Sequence, residues 1–142
     1  MWADTLLHAE QQHLLRLLLW SGLSILAGTA AVTTITVRRL RSPLLAQFSL
    51  QMIGWGLVLG AIAAFEWHGL RLHDVSGEIH LEHILWFNLG LDAGFVGIGA
   101  VLAVAGRLLA RNVGAAGAGA AIVVQGLALL LIDLQLAAVV SR

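Results

Sequence analysis

Four apolar stretches, at about 14–37, 44–65, 84–106 and 117–140, occupy nearly all of this 142-residue chain. Each is long enough to cross a bilayer core as a helix, which takes roughly 20 residues. Hydrocarbon offers no partner to a backbone N–H or C=O, so a span of this kind has to be helical. Hydrophobic residues make up 59% of the chain and charged residues 11%, against about 25% charged in soluble domains. A soluble core in so small a protein has no room for four such stretches. The sequence therefore reads as an all-α, polytopic membrane protein. It has a single four-transmembrane-helix domain over 1–142, with a short interfacial segment at 1–13.

The residues that are missing remove whole classes of function. There is no cysteine, which excludes disulfide exchange, iron–sulfur clusters and thiolate-bound zinc. Formal net charge is zero, so no basic footprint for nucleic acid exists. The start, MWADTLLHAEQQH, is polar and acidic, and no cleavable signal is expected from it. No nucleophile motif, phosphate loop or nucleotide fingerprint occurs anywhere. The expectation is a protein that is not an enzyme and whose sequence requires no cofactor.

Arginine sets the expected orientation, because the chain has no lysine. Arg38, Arg39 and Arg41 lie in the first link and Arg107 and Arg111 in the third, while Arg16, Arg71 and Arg142 lie on the opposite side. Cytoplasmic links carry the excess of basic residues. Both termini and the middle link are then extracytoplasmic, in a bacterial inner membrane. Arg16 and Trp20 sit where a snorkelling cation and a belt aromatic are expected.

Polar groups inside the spans fall into two tiers. At about 100° per residue, Asn88, Asp92, Phe95 and Gly99 share one face of the third helix, and Gly90, Gly94 and Gly97 share the other. That places helix three against neighbours on both sides. Asp92 and Asp133 are at matching depth in the outer half of the membrane, and Gln51 and Gln125 match in the inner half. A carboxyl at this depth is costly and faces the bundle interior. It reads either as a structural lock, protonated and hydrogen-bonded to Asn88, tryptophan or serine, or as a proton or cation site. The lock is the simpler reading, since no basic partner is evident at that depth.

All six histidines lie on the extracytoplasmic side, in a cluster with carboxylates: His8, Glu10, His13, Glu66, His68, His73, Asp74, Glu78, His80, Glu82 and His83. Imidazole and carboxylate suit zinc or copper. A metal would use His80, His83 and Glu66 or Glu82. The spacing lacks the H-E-x-x-H signature, so solvated histidines are the plainer reading. Haem between spans is weaker still, because no histidine lies deep in a stretch.

Membrane helices pack through small residues that let backbones approach. Gly56-x-x-x-Gly60 and Gly90-x-x-x-Gly94, with Gly97, fit that pattern. Packing within one subunit is the simpler expectation for both.

Two segments, WFNLGLDAGFVGIGA (86–100) and VVQGLALLLIDL (123–134), resemble an uncharacterised family of small bacterial four-span membrane proteins. The resemblance covers the C-terminal half well and the N-terminal half, through LLLWSG, only loosely. It implies a four-helix fold, draws attention to Asn88, Asp92, Gln125 and Asp133, and supplies no activity.

The leading expectation is a non-catalytic accessory or structural subunit. It would pack in the lipid bilayer with other membrane subunits or with itself. One alternative is an extracytoplasmic metal- or haem-binding protein. The other is a small proton or ion transporter working through Asp92 and Asp133.

Overall fold

The structure, a computed structural model, describes residues 3–70, 75–109 and 111–141. They form four helices and no strand: α1 Ala3–Val37, α2 Pro43–Gly69, α3 Val75–Leu108 and α4 Val113–Val140. The fold is all-α, and all four helices are long and apolar enough to cross a membrane. Two hairpins, α1–α2 and α3–α4, are joined through α4, which packs on α1 and α2 as well as on α3. The backbone of α3 stays away from α1 and α2. It meets them through side chains, such as the edge-on pair Trp55–Phe95 with ring centroids 5.3 Å apart. The end holding the α1–α2 and α3–α4 links is here called the arginine end. The end holding the termini and the α2–α3 link is the polar end.

The helix boundaries follow from local chemistry. At the arginine end, both links turn through an arginine with positive φ: Arg39 at 50° and Arg111 at 48°. The next helix starts on a capping side chain that satisfies one orphan N–H. Ser42 accepts from the Leu45 N–H at 3.3 Å, with Pro43 in the first turn. Asn112 accepts from the Ala115 N–H at 3.0 Å. The β-branched run at the end of α1 stays helical in an apolar setting. There Thr33, Thr34 and Thr36 donate their hydroxyls to the carbonyls of Thr29, Ala30 and Val32.

At the polar end the helices are longer than the apolar stretches suggest. Residues 3–13 are the first turns of α1, not a separate segment. The reason is packing. Leu6 is 2% exposed and joins a core with Leu85, Leu89, Leu136, Ala137 and Val140, with Ala9 alongside. Helix α3 begins at Val75, ahead of its apolar stretch, where Ser76, Glu78 and Glu82 in the sequence suit a helix N-terminus.

The small residues that bring helices together are mostly at the arginine end. A Cβ on Gly99 would lie 2.8 Å from the Gly119 carbonyl oxygen, and one on Gly117 would collide with the Leu44 carbonyl. In the other hairpin, a Cβ on Gly28 would lie 2.8 Å from the Ser49 carbonyl oxygen. Gly56 and Gly60 pack on Ser21, whose hydroxyl donates to the Gly56 carbonyl at 2.7 Å. Gly90, Gly94 and Gly97 behave differently: a Cβ on any of them would meet nothing. The expectation that α3 is covered on both faces is therefore not met within the chain. One face is held by α4, and the glycine face is left open. Towards the polar end leucines replace glycines along the α3–α4 seam, and the bundle there encloses a cavity instead of a tight seam.

Candidate functional site

The α3–α4 seam follows a heptad-like rhythm. On α3, Leu85, Leu89, Asp92, Val96, Gly99, Ala103 and Gly106 recur at alternating steps of three and four, the spacing that keeps one stripe facing a partner helix. Asp92 therefore faces α4. On α4 the stripe through Gly119, Val123, Gly126, Leu130, Asp133, Ala137 and Val140 has the same rhythm. A Cβ on Gly126 would lie 3.1 Å from the Asp92 carbonyl oxygen. In this antiparallel pair Asp92 and Asp133 come together, close enough for their carboxyl groups to act on each other electrostatically. Both residues are buried, 5% and 6% exposed.

The third member comes from α1. His13 Nε2 lies 3.6 Å from Asp133 Oδ1. His13 had been grouped with the surface histidines. It is instead the basic partner that the carboxyl pair was expected to lack. The missed signal is again a three–four rhythm: Leu6, Glu10, His13, Leu17, Trp20 and Ser24 form one stripe of α1. That stripe is visible once the helix is allowed to start before the apolar stretch.

His13 also stands in the wall of a cavity of about 340 Å³ at the polar end. Among the described residues, Glu10, Glu66 and Asn88 supply the other polar side chains of the wall, and leucines with Phe65, Gly69 and Ile84 supply the rest. Glu66 is near enough to act on Asp133 electrostatically. The cluster thus runs inward from the cavity in three steps: His13, Asp133, Asp92. Two buried atoms in it have no hydrogen-bond partner among the described residues, His13 Nδ1 and Asp92 Oδ2. A buried polar atom without a partner costs about 1–3 kcal/mol, and such atoms in a protein interior call for a specific explanation.

A second polar tier lies about two turns further along α4, roughly 12 Å inward. Gln125, 3% exposed, accepts from Trp20 Nε1 at 2.7 Å and donates to Ser24 Oγ at 3.1 Å and Met52 Sδ at 3.4 Å. This ties α4 to α1 and α2. Trp20 is thereby part of the bundle's polar lock and not a belt aromatic. Gln51 is half-buried on α2, next in sequence to Met52, and the Gln125 hydrogen bonds go to Met52 and α1 instead. The structure does not gather the proposed metal ligands. His80 and His83 are exposed, Glu82 is half-buried, and Glu66 faces the cavity. Among the described residues, no three histidine, aspartate or glutamate side chains form a metal-binding group. His73 and Asp74 lie outside the described residues.

By length and composition, four apolar helices with ionisable groups between them define a multi-pass membrane protein. The chain belongs to DUF6992, a family of unknown function, whose model matches residues 16–134. No curated protein and no solved structure matches the chain. The matched region contains Asn88, Asp92, Gln125 and Asp133, whereas Glu10 and His13 precede it.

Proposed function

We propose that this protein is a membrane-embedded proton- and cation-binding protein, with the Asp92–Asp133 pair as the binding centre and His13 as its connection to the cavity. The observation that supports this reading is the three-helix cluster itself: two buried carboxyls close enough to act on each other, with an imidazole 3.6 Å from one of them that also lines a cavity. Ionisable groups inside a span are costly to bury, and they mark ion and proton paths more often than structural positions. A lock alone would need the two carboxyls and nothing else. It leaves the cavity and the unpartnered His13 Nδ1 without a purpose. Inward of the pair come the close α3–α4 glycine seam and the Gln125 tier. A single chain therefore binds a cation at the end of a blind pocket and does not conduct one. On the arginine asymmetry, the pocket opens to the extracytoplasmic side of a bacterial inner membrane.

Infrared spectroscopy of the protein in lipid tests this. The carboxylic-acid carbonyl band of the pair is expected to change with pH in the wild type. It should vanish in D92N/D133N, which keeps the shape of both side chains. A band that ignores pH, or that survives in the double variant, would remove the reading. A cysteine introduced at Ser141 should react with an impermeant reagent from outside, and one at Arg41 should not. The reverse pattern would invert the assigned side.

A second reading, a non-catalytic subunit of a larger membrane assembly, is favoured by one observation. The Gly90, Gly94 and Gly97 face of α3 is open, and such faces admit a close partner helix. The two readings are compatible, since a blind binding pocket is what a subunit would contribute. A protein that migrates alone when extracted from its native membrane in mild detergent would argue against the second.

A further inference from the structure

The charges of this chain are sorted by end. Arg38, Arg39, Arg41, Arg107 and Arg111 stand at the arginine end, and none of the chain's eight acidic residues stands there. The acid that comes closest is Asp92, about four turns short of Arg107 on α3, or roughly 22 Å. Ala110, the one residue at this end outside the described ones, is not ionisable. Arginine stays charged at any ordinary pH. Five positive charges in one interfacial layer therefore draw their counter-charge from outside the chain. Two of them, Arg39 and Arg111, hold the left-handed backbone positions at φ 50° and 48°, where helices usually end on glycine. Glycine would relax the backbone at both and lose the charge.

An apolar groove of about 410 Å³ opens beside these charges. Leu44 of α2 forms one wall, Ala103, Val104 and Leu108 of α3 the other, and Ala116 of α4 the floor. The groove exists because α2 and α3 both pack on α4 and not on each other. Gly117 lets α4 sit directly against the Leu44 main chain, and the α3 wall stands apart on the far side. Val104 and Leu108 are 57% and 71% exposed. Leu44 and Leu108 lie in the first and last turns of their helices, so the groove starts just inside the membrane interface. Water has no place in an apolar recess at that depth, and a lipid chain fills it. The headgroup above is then selected by the one charged residue that lines the groove, Arg107, exposed in the last turn of α3.

We infer that this groove is a binding site for an anionic phospholipid, with the start of an acyl chain between α2 and α3 and the headgroup phosphate on Arg107. Arg41 and Arg111 extend the basic rim, each three residues from a groove leucine, Leu44 and Leu108. A guanidinium matches a phosphate through two parallel N–H donors, and basic pockets between membrane helices collect anionic headgroups. A zwitterionic lipid already balances its own phosphate and leaves the arginines uncompensated. A soluble acidic partner fits less well, because the arginines stand on links of only a few residues, held at the level of the membrane surface. The site is independent of the carboxyl pair in the other half of the bundle and of which side of the membrane the arginine end faces.

The test uses the whole protein in phosphatidylcholine nanodiscs that carry a minority of phosphatidylglycerol. The protein is then extracted in mild detergent, and the lipid that stays bound is identified by mass spectrometry. Phosphatidylglycerol is expected to be strongly enriched over its share of the bilayer. Arg107→Gln should cut that enrichment by about fivefold, the effect of one basic residue at a charged membrane surface. Val104→Trp fills the groove from an exposed position and keeps all five arginines, and it should cut the enrichment as far. Arg38→Gln is the control: it lies just past α1, which does not line the groove, and should leave the enrichment nearly unchanged. Lipid retained in bilayer proportions would overturn the inference and leave the arginines to a soluble acidic partner. Enrichment that falls equally with Arg38→Gln and ignores Val104→Trp would overturn it too, as diffuse surface charge without a site. A final arm adds inorganic phosphate against chloride at equal ionic strength. Enrichment that survives supports a lipid site, and enrichment erased by phosphate alone would make the groove incidental and the site one for free phosphate.

Discussion

Gly119→Ala is expected to destabilise the isolated protein by about 2–3 kcal/mol, the scale of overpacking in a seam that cannot give. The added methyl would strike the Ala103 backbone nitrogen and lie 2.6 Å from the Gly99 carbonyl oxygen. Both obstacles are main-chain atoms, so no rotamer change relieves them. The α3 and α4 backbones would have to separate along the stretch where they are closest, and packing contacts between membrane helices fall off steeply with distance. Gly90→Ala is the internal control. It sits on the same helix with open space at its Cβ, and alanine is the better helix former by up to about 1 kcal/mol. It should be neutral or mildly stabilising. Unfolding midpoints in mixed micelles would compare the two. Equal losses would mean that the α3–α4 seam is not where the structure puts it.

That contrast shows how far glycine patterns can be read from sequence. Gly56-x-x-x-Gly60 and Gly90-x-x-x-Gly94 look alike on paper, yet only the first packs inside the chain. A small-residue motif records that a close approach is permitted and does not say which helix makes it. The informative spacing was the longer one, Gly99 to Gly106 and Gly119 to Gly126, which keeps step with the three–four rhythm of each stripe. The four-helix architecture itself was legible because hydrocarbon leaves the backbone one solution. The helix starts were legible where capping chemistry marks them: Pro43 suits the first turn of α2, and Ser76 with Glu78 and Glu82 suits the start of α3, which begins at Val75. The start of α1 was not, since its helix runs past the apolar window, with Leu6 in the core.

The same boundary error hid part of the site. Depth along the helices placed Asp92 and Asp133 at one level, and the structure does bring them into contact. His13 was read as a marginal histidine because the first span was taken to begin after it. With α1 starting at Ala3, it is nearly three turns into a helix and faces α4. The cavity was not legible at all. It depends on α3 standing off from α1 and α2, a property of the pairing order and not of any one segment. Conversely, clustering in sequence suggested that His80, His83, Glu66 and Glu82 act together, whereas among the described residues no three such side chains form a metal-binding group.

Gln125→Ala is expected to cost about 2–4 kcal/mol, although Gln125 touches neither the carboxyl pair nor the cavity. Two contributions add. A hydrogen bond between membrane helices is worth roughly 0.6–1.7 kcal/mol, and Gln125 makes such bonds to Trp20 and Ser24 with a weaker one to Met52. Truncation also leaves a void among buried groups, which adds a large-to-small penalty. The Trp20 N–H then has nowhere to turn, because the hydrocarbon around it offers no acceptor. Trp20→Phe separates the contributions. Alone it removes the donor and leaves most of the ring volume. Combined with Gln125→Ala it should cost less than the sum of the single changes by about 1 kcal/mol, because one bond cannot be lost twice. The cycle also says whether this tier holds the two hairpins together. Gln125 joins α4 to α1 and α2, so its loss should loosen the hairpins against each other while the α3–α4 seam persists. Strict additivity in the cycle, or a loss confined to α3, would show that the Trp20–Gln125 bond does not hold the bundle.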